Sequence, residues 1–280
     1  MIARIRGRST MLISDWQHLI AAGSVTDSDE RIWESFLAEL QWLHAQMNRE
    51  LRDTFAPLFA LFEMKTIVLC LRNKAIGRPA EIERLLHRSL LADDIRESLT
   101  SEPDVRSAIV RAFGELAGEF DEGNLQAFEN DLMRLYLQEV VRQSLHPVMR
   151  EFFTEFIDLR NIVLLYKHFR WNLAKPEALI DGGSIAVDEL QSIQTSAELD
   201  DLVKRVTRLA PISVATSGAS LESELLGALT TRLRTIRHTM DDIGLIVVYV
   251  WNIYVQARNL AILHHAPSLD AETIERELIA

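Results

Sequence analysis

The chain has 280 residues, of which 48% are apolar, and its formal net charge is −11. The length suits one large domain or two ordinary ones with a sizeable core, and the negative charge disfavours a nucleic-acid partner because it repels phosphate groups. A single cysteine, Cys70, excludes an intramolecular disulfide and a cysteine zinc site.

The predicted secondary structure is helical throughout the chain. Glycine (11) and proline (7) are scarce, so there are few of the turns that join short strands. Apolar residues instead recur three and four positions apart, as they do from Trp33 to Met47. We therefore predict an all-α fold.

The most apolar stretch runs from Ile243 to Val255. It is shorter than the about 20 residues that cross a bilayer, and Asn252 interrupts it. We predict that this stretch is a helix buried in a bundle. We expect any membrane role of the chain to be peripheral.

A short pattern occurs three times: an apolar residue, a base, asparagine or threonine, and further apolar residues. The first copy begins at Met64, the second follows 95 residues later at Leu159, and the third follows after a further 98 residues at Ala257. The base and its neighbour are Lys65 and Thr66, then Arg160 and Asn161, then Arg258 and Asn259. A period of this length indicates one multi-helix module used three times, which favours a scaffold over a catalytic pocket.

Each copy follows a glutamate that opens a long amphipathic helix. Glu34 and Glu129 lie thirty residues before the start of their copies, whereas Glu222 lies 35 residues before the third. We interpret each repeat as a helical hairpin whose second arm is the signature helix. The prediction is one domain over residues 1–280 with three repeats, at approximately 1–90, 91–190 and 191–280.

Turn-forming residues mark the predicted ends of these helices. We expect bends near Pro57, Pro147 and the pair Asp241-Asp242, and turns at 77–79, 181–184 and 266–268. Short acidic helices are predicted at 80–86, 196–207 and 270–278, and an exposed loop at 210–220.

The signature residues have two possible structural roles. Residues three and four apart share a helix face, so Arg160 and Asn161 flank a seam of apolar side chains. From there the base and the amide can hydrogen-bond a neighbouring helix and fix the register between repeats. Alternatively, the bases are solvated residues at the flank of the helix. A catalytic role for the three bases is disfavoured.

Acidic residues raise two further possibilities. Asp93-Asp94 with Glu97 resembles the magnesium and diphosphate site of class I terpene synthases, but the companion segment at Asn130-Asp131 lacks the required hydroxyl and carboxylate. We interpret the first segment as a solvated helix start, and we interpret Glu151, Glu155 and Asp158 as a solvated stripe. The sequence thus predicts no catalytic residue, metal site, cofactor or small-molecule substrate.

Together, the motifs resemble the C subunit of archaeal and bacterial A/V-type ATPases, whose counterpart in the eukaryotic vacuolar enzyme is the d subunit. The resemblance rests on the opening Ala3-Arg4-Ile5-Arg6, on 128–132, 158–162 and 180–183 in the second repeat, and on 247–250, 257–262 and 272–278 in the third. It spans essentially the whole chain. Two features depart from the family pattern: Thr66 replaces asparagine, and 253–256 contains no acidic residue.

The resemblance implies a funnel of three similar helical lobes with approximate threefold symmetry. It also implies a position on the cytoplasmic face of the membrane, where the protein receives the central shaft and transmits its rotation to the membrane rotor ring without catalysing a reaction. The alternatives are a magnesium-dependent prenyl diphosphate enzyme and a generic helical adaptor with cytosolic partners.

Overall fold

The computed structural model of the chain describes residues 1–13, 16–22, 28–114, 125–172, 179–207, 218–236, 242–266 and 270–279. Every regular element in these ranges is an α-helix, which confirms the predicted all-α fold. The helices in chain order are α1 (Ile2–Ser9), α2 (Trp16–Ala22), α3 (Asp29–Gln46), α4 (Arg49–Ala75), α5 (Pro79–His87), α6 (Asp93–Ser101), α7 (Val105–Phe113), α8 (Leu125–Val140), α9 (Pro147–Trp171), α10 (Val187–Ser192), α11 (Ser196–Thr207), α12 (Gly218–Ile236), α13 (Asp242–His265) and α14 (Ala271–Glu277).

The chain divides into two compact units, which are described separately. The continuous unit comprises Glu30–Gln143, and the discontinuous unit combines Met1–Asp29 with Ser144–Ala280. The first signature helix, α4, belongs to the continuous unit, whereas α9 and α13 belong to the discontinuous unit. The repeat boundaries at residues 90 and 190, and the threefold funnel, stay predictions.

The signature helices are long because they bury apolar side chains over most of their length. α4 and α13 are apolar and long enough to cross a membrane, but 61% and 56% of their most apolar windows are buried inside the fold. Phe55 and Ile67 on α4, and Trp251 on α13, are almost completely buried. Both helices are therefore core elements of their units, as predicted for the stretch from Ile243 to Val255.

The bend between α3 and α4 lies at Met47 and Asn48. The side chain of Asn48 accepts a hydrogen bond from the Leu51 N–H at 2.9 Å and so caps the start of α4. The prediction of a bend near Pro57 was wrong, because this proline lies inside α4. A proline inside a helix removes one backbone hydrogen bond, and the burial of its neighbour Leu58 helps to offset that loss.

Most of the other predicted boundaries agree with the structure where it describes them, but the loop predicted to reach residue 220 is helical from Gly218. α9 begins at Pro147 and α13 begins at Asp242. The predicted short helices correspond to α5, α11 and α14. Asp241, residues 267–268 of the third turn and residues 210–217 of the predicted loop lie outside the described residues, and α12 already begins at Gly218.

In each unit, a signature helix packs against the helix that carries the predicted glutamate of the next repeat, which is α8 or α12. α8 packs on α4 in the continuous unit, and α12 packs on both α9 and α13 in the discontinuous unit. α8 runs antiparallel to α4, since Glu129 pairs with Arg72 while the Tyr136 hydroxyl donates to the Pro57 carbonyl oxygen. This packing explains why the division between the units falls after α8, inside the second predicted repeat.

Candidate functional site: the three signature helices

Asn161 joins α9 to the segment that follows it in the chain. Its Nδ2 donates to the Ile180 carbonyl oxygen and its Oδ1 accepts from the Ile180 N–H, both at 2.8 Å. Asn259 on α13 makes the same two bonds with Ile279, at 2.8 and 3.1 Å. Both asparagines are 0% exposed, so each amide satisfies two backbone groups in a buried site. We call this pair of bonds the amide lock.

A polar residue three positions before each signature residue accepts a hydrogen bond from a distant backbone N–H. These bonds are Leu90 N to Glu63 Oε1 at 2.6 Å, Ser184 N to Asp158 Oδ2 at 3.0 Å, and Ile13 N to Gln256 Oε1 at 2.8 Å. The sequence did not predict these hydrogen bonds, and Asp158 was expected to be solvated. The available signal was a polar side chain three positions before the signature residue in all three helices.

Two of these acceptors are carboxyl groups in buried positions. Burial raises the pKa of Glu63, although the hydrogen bond from the Leu90 N–H opposes the rise. Burial likewise raises the pKa of Asp158, against the hydrogen bonds from Ser184 and Ile185. The hydrogen bonds thus compensate in part for taking each carboxyl group out of water.

Thr66 takes the place of the signature asparagine in the first repeat. Its hydroxyl oxygen accepts a hydrogen bond from the indole N–H of Trp33 at 2.9 Å, which links α3 to α4. A similar bond joins α12 to α13, where Trp251 Nε1 donates to Thr230 Oγ1 at 2.7 Å. Thr66 is fully buried, so this departure from the asparagine pattern replaces an amide lock with a bond inside the helical hairpin.

The three signature bases have different surroundings. Lys65 Nζ lies 4.7 Å from the centre of the Trp33 ring, at cation–π distance. Arg258 donates to the Glu277 carbonyl oxygen and to the Ser223 hydroxyl, both at 2.8 Å. Arg258 is therefore a cross-link between α13 and its neighbours α14 and α12. Arg160 lies partly exposed on α9.

Two of the predicted glutamates pair with a base on the preceding signature helix. Glu129 Oε2 lies 3.0 Å from Arg72 Nη2 on α4, and Glu222 Oε2 lies 3.9 Å from Lys167 Nζ on α9. Arg72 and Lys167 occupy equivalent positions, each six residues after the signature Thr66 or Asn161. The same ionic contact therefore joins the first repeat to the second and the second to the third.

Glu34, the third predicted glutamate, makes a different contact. It pairs with Arg84 on α5 and with Arg88, at 3.4 Å in each case. His265 follows Asn259 by six residues, and its Nε2 lies 2.7 Å from Asp29 Oδ2. Each signature helix therefore presents a basic or imidazole group near its C-terminal end to an acidic partner.

One groove lies beside the signature helix α4, and a second lies beside the signature helix α9. The α4–α8 groove has a volume of about 710 Å³, and the α9–α12 groove has a volume of about 410 Å³. Their lining residues largely occupy equivalent positions in the repeats. Ala56, Ala60 and Glu139 of the first groove correspond to Glu151, Glu155 and Arg232 of the second. Alanines on α4 thus leave the first groove larger and more apolar.

The charged residues of the α9–α12 groove pair across it. Arg232 Nη2 lies 3.4 Å from Glu151 Oε1, and Arg232 also forms an ion pair with Glu155. Burial raises the pKa of Glu155 to about 7, and the attraction of Arg232 opposes this rise. The prediction of a solvated stripe was wrong for Glu155 and Asp158, because α12 covers that face of α9 and leaves the Glu155 side chain only 17% exposed.

The amide lock and the ion pairs between repeats thus occur in more than one repeat of an all-α chain. The sequence model of the ATP synthase (C/AC39) subunit matches residues 3–277. The chain belongs to this family. The C/AC39 subunit is a component of rotary ATPases of the A/V type, so the resemblance identified from the motifs is confirmed. No curated relative matches the chain.

The acidic pair of this C/AC39 subunit lies in the first turn of α6. Asp94 Oδ1 accepts a hydrogen bond from the Ile95 N–H at 2.9 Å, and Asp93 Oδ1 lies 3.4 Å from Arg96 Nη1. Within the described ranges, no three His, Cys, Asp or Glu side chains are arranged to hold a metal ion. The contacts of the pair are those of acidic residues that stabilise a helix start.

Proposed function

We propose that this C/AC39 subunit is a non-catalytic part of the central rotor, which couples the central shaft to the membrane rotor ring during ATP-linked ion transport. It acts at the cytoplasmic face of the membrane and is peripheral to it through protein contacts. Its partners are the shaft proteins and the rotor ring. It requires no cofactor and no small-molecule substrate.

The amide lock is the observation that supports this proposal most directly. A protein that transmits torque must keep its helices in register under load. Asn161 holds α9 to Ile180, and Asn259 holds α13 to Ile279, each through two buried hydrogen bonds. Because water does not reach these bonds to compete for the donor and acceptor, they favour one position of the helix over a sliding one.

The contacts between successive repeats support transmission from one repeat to the next. The pairs Arg72–Glu129 and Lys167–Glu222 are partly exposed, so each contributes only about 0.2–1 kcal/mol. The packing of α8 on α4 and of α12 on α9 is the larger contribution, since it buries apolar side chains along whole helices. In this proposal the ion pairs fix the register between neighbouring helices, and the apolar packing between those helices transmits the torque.

Reconstitution of the rotary complex in proteoliposomes tests the proposal. A complex assembled without this protein should hydrolyse ATP but should not pump ions, and adding the purified chain should restore pumping. Equal pumping with and without the chain would exclude a coupling role.

The alternative functions give different results in the same preparations. A generic cytosolic adaptor should not co-purify with rotary ATPase components from native membranes of cells that express them. A prenyl diphosphate enzyme should bind magnesium and a diphosphate, and the variant with Asp93→Ala and Asp94→Ala should lose that binding. Failure of the parent protein to bind magnesium diphosphate excludes the enzyme.

A further inference from the structure

The α4–α8 groove has a long apolar part and one basic end. All the residues that line it belong to the continuous unit. Its volume of about 710 Å³ falls within the range of about 300–1,000 Å³ that small-molecule sites occupy in proteins. Apolar side chains form most of its wall, among them Phe59, Met64, Ile67, Phe113, Phe128 and Leu132. The groove therefore has the size and the lining of a site for a small apolar molecule.

Comparison with the α9–α12 groove shows why the α4–α8 groove is open. In the α9–α12 groove, Arg232 pairs with Glu151 and Glu155, so the chain's own charged side chains occupy part of the space. The equivalent positions on α4 are Ala56 and Ala60, which are exposed and partly exposed. Their methyl groups do not reach across the groove. The space that the second repeat fills with ion pairs is thus accessible to a ligand in the first.

Two arginines lie at one end of the α4–α8 groove. Because α8 runs antiparallel to α4, Arg142, just after the end of α8, comes close to the first turns of α4, where Arg52 lies, and both residues line the groove. Arg52 Nε donates to the His44 carbonyl oxygen at 3.1 Å, and no carboxylate within the described residues forms an ion pair with it. The pKa of His44 is lowered by burial and then by the positive charge of Arg52.

The two carboxyl groups that line the groove leave this end basic. Glu139 Oε2 lies 3.9 Å from Arg142 Nη1, but these side chains are 64% and 76% exposed, so the pair is weak. Glu63 is buried, and it accepts hydrogen bonds from the Leu90 N–H at 2.6 Å and from the Ser89 hydroxyl at 2.9 Å. Neither carboxyl group pairs with Arg52. Its guanidinium group can therefore bind an anion.

We propose that the α4–α8 groove binds a long-chain fatty acid, with the carboxylate at Arg52 and the alkyl chain against Phe59 and Phe128. A guanidinium group matches a carboxylate in both charge and geometry, and the apolar wall takes the chain out of water. Phe128 and Glu139 are eleven residues apart on α8, which is roughly 16 Å along the helix axis, so the groove suits an extended ligand. This inference goes beyond the proposed function and does not depend on it.

Isothermal titration calorimetry of the intact chain with dodecanoate, below the micelle concentration, tests this inference. At about pH 8 the carboxylate is charged, and dodecanoate should bind at one saturable site. Dodecyltrimethylammonium has an alkyl chain of the same length and the opposite charge. It should bind at least about tenfold more weakly, because the end of the groove at Arg52 repels it.

Two variants locate the bound fatty acid. Arg52→Met should weaken the binding of dodecanoate by about tenfold, because a charge-assisted hydrogen bond is lost. Ala60→Phe should weaken it at least as much, because the larger side chain fills the groove. Arg49→Met and Ala75→Phe are the matched controls, since both residues lie exposed on α4 and do not line the groove. They should bind dodecanoate as the unaltered chain does. Unchanged thermal unfolding shows that all four variants fold.

Other results overturn the inference. If the unaltered chain shows no saturable binding of dodecanoate, the groove is not a fatty-acid site. If Arg52→Met and Ala60→Phe both bind as tightly as the unaltered chain, dodecanoate binds elsewhere. Equal affinity for dodecyltrimethylammonium would show that the basic end does not select the ligand. If dodecanoate does not bind but Ala60→Phe weakens binding to the purified shaft or rotor ring, the groove takes a protein and the inference fails.

Discussion

Asn161 and Asn259 make the same pair of hydrogen bonds, one donated and one accepted, with the backbone of an isoleucine 19 or 20 residues further along the chain. The two helices that carry them differ at most other positions. What the second and third repeats have in common is therefore a buried polar contact, whereas the apolar side chains around it vary.

Replacing Asn161 by leucine should reduce the free energy of unfolding by about 2–4 kcal/mol, because the N–H and carbonyl groups of Ile180 are then left without partners in a buried site. Urea denaturation of both proteins measures this difference. Asn252→Leu is the matched control on α13, since the buried Oδ1 atom of Asn252 has no hydrogen-bond partner among the described residues. That substitution should leave the stability unchanged or raise it. Equal losses for the two variants would contradict the amide lock.

Gly183→Ala should destabilise the protein by roughly 2 kcal/mol or more, because a Cβ atom at this position would lie 2.2 Å from Asp158 Oδ1. Asp158 cannot move away without losing its bonds to the Ser184 and Ile185 N–H groups. Gly227→Ala is the control within α12, where a Cβ atom meets nothing within 4 Å. It should stabilise the protein by up to about 1 kcal/mol. Thermal unfolding of both variants checks this prediction. The melting temperature should fall for Gly183→Ala and rise for Gly227→Ala, and equal shifts would contradict the close contact at Gly183.

The stability of the protein should depend on the titration of Glu155. Its pKa is raised to about 7 in the folded state, from an ordinary value of 4.5, so the folded protein binds the proton more tightly than the unfolded chain does. The contribution to stability is therefore fully present below about pH 4.5 and is lost as the pH rises through 7. The full shift corresponds to about 3 kcal/mol, and solvent screening of this partly exposed group reduces the loss expected in denaturation at a series of pH values to about 1–2 kcal/mol.

Glu155→Gln removes that titration and is the matched comparison. The difference in unfolding free energy between the variant and the parent should increase in favour of the variant as the pH rises from about 5 to about 8. Asp158, whose pKa burial also raises, retains its own contribution in both proteins. A difference that does not change with pH would mean that Glu155 is charged in the folded state throughout this range.

Arg258→Met should destabilise the protein by about 1–3 kcal/mol, because the guanidinium group bonds both the Glu277 carbonyl oxygen and the Ser223 hydroxyl. Methionine preserves much of the apolar part of the side chain. Amide hydrogen exchange should increase in α14, the helix that Arg258 holds in place. Arg49→Met, at a side chain that is 95% exposed, should change neither quantity. Protection of α14 that survives Arg258→Met would show that apolar packing alone retains it.

The sequence was sufficient to predict the helices and the family. The spacing of apolar residues indicates helix along the chain, and the signature copies locate α4, α9 and α13. The prediction failed at Pro57, because a single proline suggests a helix end although packing of its neighbours allows it inside α4. It also failed at Glu155 and Asp158, because periodicity shows that residues share a helix face but not that another helix covers it.

The sequence by itself determined the helical class, the threefold recurrence of a base next to an asparagine or threonine, and membership of the C/AC39 family, because these depend on the order of residues along the chain. Only the tertiary structure decided what the recurring residues contact. Ile180, Ile279 and Trp33 are distant in sequence from the signature residues that bond them, and no local pattern marks them as partners. Hydrogen bonds of this kind form only when packing brings two segments together and excludes water from between them.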